Sequence, residues 1–236
     1  MSSLVKMSRE VTFALHGFAA FEIPLAAEEI GKYLVPDGCF PQLKSNPVHV
    51  VREDRATPLY VCNVPYELIL LNCGPNLPWQ FSYQFAHELI HLLARCNLRF
   101  GQTGRHCWIE EALCGAGSVY AMRKMATEGG PALAMGAQNY LNDIQRQRYS
   151  SVGVDKQWFA SNSAEILAAT TETDLIAKIA TAVVDACADG SFLFDNRALI
   201  GTPLNTDLDQ YLKAWQKQTP YGSGKVPALL SKLALA

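Results

Sequence analysis

The chain has no CxxC pair among its seven cysteines (Cys39, Cys62, Cys73, Cys96, Cys107, Cys114 and Cys187). An odd count, in a chain too large to need a disulfide scaffold, predicts free thiols in a reducing compartment and offers no cysteine-based zinc knuckle. There is no block of like charge, and the formal net charge is only -2. That removes the electrostatic footprint expected of a nucleic-acid or anionic-membrane binder. No apolar stretch approaches the ~18 residues needed to cross a bilayer. The first apolar run, residues 11–21, follows Lys6 and Arg9 as a signal peptide would, but His16 and Gly17 interrupt it and Glu22 closes it. A buried strand is the expectation there, in a soluble, cytoplasmic protein with no membrane and no nucleic-acid partner. Internal repeats and low-complexity segments are also missing.

What is present is an ordinary globular balance: 236 residues, 49% hydrophobic and 18% charged. This suffices for one sizeable core, and residues 1–236 read as a single domain in two lobes, 1–98 and 99–236. Val11–Phe18, His49–Arg52, Leu59–Asn63 and Glu67–Asn72 have the composition of strands, and Leu25–Leu34 has helical spacing. From Pro78 the period turns helical, with Phe81, Phe85, Leu89 and Leu92/Leu93 on one face and Tyr83, Gln84, His87 and His91 elsewhere. This helix should end near Cys96-Asn97, with Asn97 as its cap. A second helix is expected from Cys107 to Thr127, where Gly115, Ala116, Gly117 and Ser118 make a patch suited to close approach by another helix. Further helical patterns follow around residues 133–144, 158–169, 175–187, 208–215 and 227–235, with Ser191–Phe194 a candidate short strand. The fold class is therefore α+β: a small mixed sheet with one helix, then a mainly helical lobe.

Chemistry concentrates in His87-Glu88-Leu89-Ile90-His91. Two histidines four residues apart on a helix differ by about 40° and one turn of rise, so both imidazoles reach one metal ion. Glu88, on the flank of that face, is placed to act on water without ligating. This HExxH spacing is a zinc-hydrolase signature. A catalytic zinc needs three protein ligands and an open position. Trp108-Ile109-Glu110-Glu111-Ala112, on the next helix, supplies two candidate carboxylates, Glu110 after 18 intervening residues and Glu111 after 19.

Across roughly residues 66–123 the chain resembles the gluzincins, zinc metallopeptidases with an HExxH helix and a downstream glutamate ligand. Their third-ligand segment runs aromatic, aliphatic, polar, Glu, then Gly or Ala. Trp108-Ile109-Glu110-Glu111-Ala112 fits that pattern with Glu111 at the ligand position, and Glu110 is the alternative. The resemblance implies a zincin-like fold with zinc held by His87, His91 and Glu111, and a peptide or protein as substrate. It implies further that the strand Glu67–Asn72 edges the cleft and pairs with an extended substrate. Two features depart from the family: the Gly-x-Met-Glu-Asn motif of the aminopeptidase-like members is absent, and Gly115 stands where an acidic residue often orients a histidine.

The implied reaction is hydrolysis of a peptide bond by a zinc-activated water, with Glu88 as general base and proton shuttle. An oxyanion donor usually assists. No histidine follows His106, so a tyrosine is expected: Tyr149 first, Tyr140 or Tyr83 otherwise; His106 could also serve, although an exposed loop residue is the expectation for it. Two other readings fit. Ala86-His87-Glu88-Leu89 matches regulatory proteases that cleave a single protein partner, although no DNA-binding segment accompanies it here. A non-catalytic zinc-binding protein that retains the scaffold is the third reading, disfavoured by the intact Glu88.

Overall fold

The structure, a computed structural model, describes residues 2–7, 11–35, 47–54, 59–63, 66–94, 106–147, 150–199, 202, 206–220 and 223–235. In chain order these form β1 (Ser2–Met7), β2 (Val11–His16), α1 (Glu22–Leu34), β3 (Val48–Arg52), β4 (Leu59–Asn63), β5 (Tyr66–Leu71), α2 (Pro78–Ala94), α3 (Cys107–Glu128), α4 (Pro131–Gln147), α5 (Lys156–Ala168), α6 (Asp174–Ala186), α7 (Phe192–Ala198), α8 (Leu208–Gln218) and α9 (Lys225–Ala234). The class is α+β, as the periodicity implies. No described helix is long and apolar enough to cross a membrane. Asn97, expected to cap α2, lies outside the described residues.

The strands make one five-stranded sheet in the order β1-β2-β3-β5-β4. β2, β3 and β5 run parallel, while β1 and β4 pair antiparallel at the two edges. Residues opposite each other in the register share a face. Phe13, Leu15, Val48, Val50, Ile69 and Leu71 therefore form one continuous apolar face, each 2% exposed or less. The strand read as Glu67–Asn72 is β5, and it is interior, bonded to β3 on one side and β4 on the other. Its edge role is thus corrected. β4 turns back on it, with Asn63 opposite Tyr66, and takes the edge. Pairing across so short a connection is a hairpin, whose alternation alone does not tell which strand ends up outside.

The chain forms two compact units, Met1–Leu98 with Ala121–Asn142, and Arg99–Tyr120 with Asp143–Ala236. In the first, α1 buries Ile23, Ala26, Ala27, Ile30 and Leu34 and packs on α2 and β1. Pro24 falls in the first turn of α1, where its missing N–H costs no helical bond. Also in this unit, the Trp79 indole of α2 occupies the space that a Cβ on Gly136 of α4 would take.

In the second unit, α9 packs against α5, α6, α7 and α8. The anchor is Asp195, fully buried, whose carboxylate accepts the backbone N–H groups of Gly224 (2.5 Å) and Val226 (2.9 Å) at the start of α9. The backbone carbonyl of Asp195 accepts the Trp215 indole N–H at 2.7 Å. Asp195 belongs to α7, so Ser191–Phe194, read as a candidate strand, opens a helix instead. A four-residue apolar run is ambiguous between the two periods, and this one is settled by the contact with α9. The small-residue patch of α3 is used as expected: Gly115 lies against Ala180 of α6, where even a Cβ would stand 3.1 Å from the alanine methyl.

Candidate metal centre

α2 starts at Pro78, whose fixed φ and absent N–H suit a first helical position. Its apolar face is pinned by stacked aromatic rings. Phe81 and Phe85 lie 5.3 Å apart, Phe85 meets Phe13 of β2 edge-on at 5.0 Å, and Phe81 meets Phe18 at 5.0 Å. The Gln84 side-chain amide donates to the carbonyl of Asn72 (2.9 Å), tying the helix to the residue after β5. With that face fixed, residues 81–94 are buried except Tyr83, Gln84, His87 and His91. These four make one half-buried stripe. His87 and His91 have ring centroids 5.2 Å apart, so the helix presents two imidazoles to one ligand as the i, i+4 spacing requires.

Glu88 departs from an ordinary surface glutamate, since only 5% of it is exposed. Taking a carboxylate out of water is costly, and perturbed, buried acids concentrate at functional sites.

α3 has a different character. Trp108 and Ile109 are fully buried, and every residue from Ala112 to Met122 is buried as well. Trp108 packs on Phe159 of α5 with centroids 5.7 Å apart. Glu110 and Glu111 are the two partly exposed positions between residues 108 and 122. Cys114 follows on the same side, one turn along.

Among the described residues one group of donors has metal-binding spacing: a ring nitrogen each of His87 and His91, and Sγ of Cys114, all within 4.8 Å of one another. No CxxC spacing singles out Cys114 in the sequence. Its signal was its place three residues beyond Glu111 on one helix.

The candidate oxyanion donors fare differently. Tyr149 lies outside the described residues. Tyr83 and Tyr140 pack together with centroids 5.9 Å apart, Tyr83 being one turn before His87 on the half-buried stripe. His106, expected on an exposed loop, is 6% exposed: its Nε2 lies 3.0 Å from the carbonyl of Thr206, and its ring packs on Tyr211 at 4.6 Å. The buried thiols of Cys73 and Cys187 are free, and burial pushes the Cys73 thiol up to about 11, which suits an inert structural residue.

No family model matches this chain, and neither does any curated protein or solved structure.

Proposed function

We propose that the protein is a zinc-dependent metallopeptidase of zincin-like fold, with His87, His91 and Glu111 as ligands and Glu88 as general base. The observation that carries this reading is the α2 stripe: two imidazoles side by side on one helix, with a nearly inaccessible carboxylate between them in sequence. The donor chemistry fits zinc, which favours imidazole with carboxylate or thiolate. A zinc ion held there supplies Lewis-acid chemistry, making water more acidic and polarising a carbonyl. Glu88 then takes the proton of the attacking water and passes it to the leaving amine, a shuttle role natural for a carboxylate one residue from a ligand. The outer side of β4, which pairs with no further described strand, would let an extended peptide backbone add to the sheet.

A second ligand set has its own support. The 4.8 Å grouping makes Cys114 a candidate third ligand, giving a His₂Cys site in place of His₂Glu. Both sets leave a fourth position open.

The deciding experiment measures zinc per chain in purified protein and hydrolysis of a mixed peptide library. The expected result is one zinc per chain and measurable cleavage. In Glu88→Gln the zinc should stay while cleavage falls by about 10²–10⁴-fold, the usual worth of a positioned general base. Zinc without cleavage by the wild-type chain would leave a metal-binding protein, and absence of zinc would remove the site.

A further inference from the structure

The chain has five histidines. His87 and His91 belong to α2, and His106 is buried against Tyr211. The remaining two, His16 and His49, are 33 residues apart in sequence and meet on the sheet. Ala14 of β2 pairs with His49 of β3, and His16 pairs with Val51. Side chains alternate along a strand, so the two imidazoles rise from one side of the sheet as diagonal neighbours. Phe13, which meets Phe85 of α2, faces the other side. Both imidazoles belong to half-buried residues. Their rings lie within 15° of parallel with centroids 5.4 Å apart, and Nε2 of His16 is 3.1 Å from Nδ1 of His49. Those two distances differ by about two ring radii, so the two nitrogens face each other along the line between the rings.

Without metal, one of these nitrogens carries a hydrogen and donates it to the other. A neutral imidazole holds its one hydrogen on either nitrogen. When that hydrogen moves to the far side of its ring, two lone pairs are left side by side on adjacent strands. We propose that His16 and His49 form a metal site of their own, for a divalent transition-metal ion of the imidazole-preferring class, copper, nickel or zinc. Metal–nitrogen bonds of about 2.0–2.1 Å span the 3.1 Å gap with the ion off the line between the nitrogens, so each ring turns about its side-chain torsions to meet it. No proton leaves the pair, because the donating ring only changes tautomer. Water completes the coordination, since two imidazoles fill part of it. Arg52, the nearest cation along β3, alternates to the other side of the strand, where its guanidinium donates to the carbonyl of Cys73 (3.0 Å) and the carboxylate of Asp54 (2.6 Å). An ion at this site clamps β2 to β3, and it does so independently of any metal on α2.

Nickel(II) is the probe, because it favours imidazole and, unlike copper(II), leaves thiols unoxidised. Nickel per chain is counted by equilibrium dialysis and elemental analysis on untagged protein carrying His87→Gln/His91→Gln, which removes the α2 pair. Thermal unfolding is followed with and without the ion. One nickel per chain is expected, with a melting temperature that rises with nickel concentration, since an ion bound by the folded chain alone stabilises it. Adding either His16→Gln or His49→Gln should weaken nickel binding by more than the ~10- to 100-fold that an outer partner is worth, and should abolish the rise in melting temperature. Without nickel, each should melt close to its parent, and if one of the two folds poorly the other carries the test. Absence of nickel from the His87→Gln/His91→Gln protein would overturn the proposal. So would nickel held equally tightly after either added glutamine, or a binding loss that in both variants only follows an equal loss of metal-free stability.

Discussion

α2 and α3 both carry residues proposed to reach one metal, yet they are made on opposite plans. α2 is two-faced, with phenylalanines on the sheet side and a single half-buried stripe of Tyr83, Gln84, His87 and His91. α3 is buried on every side from Ala112 to Met122, with a narrow opening at Glu110 and Glu111. A helix of the first kind announces its functional face, because polar residues on an amphipathic helix must face something other than the core. A helix of the second kind does not, since its small residues serve packing and its few polar ones are set by neighbours distant in sequence. The chemistry of α2 is therefore local, and that of α3 depends on which segments surround it.

The sharpest way to break this contrast is to loosen the anchored face of α2. Phe85 is fully buried between Phe81 and Phe13. Phe85→Ala should destabilise the protein by about 3–5 kcal/mol, the range for emptying a buried aromatic site. Urea unfolding measures it directly. A cost under about 1 kcal/mol would mean that the sheet does not hold the helix that presents the histidines.

Next in size are the competing ligands on α3. Glu111→Ala and Cys114→Ser, compared by zinc affinity, should separate cleanly. Loss of the true ligand should exceed the ~10–100-fold that outer partners are worth, and loss of the other should stay within it. The expected order places Glu111 above Cys114. The reverse order would establish the His₂Cys set and move Glu111 out of the site.

How much of this was open to sequence reading follows the same division. The His87–Glu88–His91 arrangement was legible because four residues of one helix fix their relative directions whatever surrounds them. The four central and edge strands β2 to β5 were legible for a similar reason, through local composition and alternation. β1 was not, since Leu4 and Val5 are a weak signal and the strand exists by pairing its whole length with β2, from Ser2 opposite His16 to Met7 opposite Val11. The edge position of β4 was hidden because sheet order is a property of pairing, not of any one strand. The meeting of Gly115 on α3 with Glu172, before α6, was beyond reach altogether: no spacing rule connects them, and only folding puts the carboxylate of one into the space left by the other.

The smallest predicted effect lies on the other face of the sheet that supports α2, and it depends on pH. His16 of β2 and His49 of β3 stack with centroids 5.4 Å apart, and Nε2 of His16 lies 3.1 Å from Nδ1 of His49. A hydrogen bond between two ring nitrogens requires one to be an acceptor, so charging both rings breaks it. Burial, and then the neighbouring His49, hold the His16 imidazole below its ordinary value. In the unfolded chain this group titrates near about 6.5. Above that pH both states are neutral and His16 has no effect. As pH falls through about 6.5 towards the lower folded value, the unfolded chain takes up a proton that the folded one resists, and stability declines. Denaturant unfolding at pH 7.5 and pH 5.5 should show a modest loss at the lower pH, and His16→Gln should reduce that loss. An unchanged pH slope in the variant would place the acid sensitivity elsewhere than in this histidine pair.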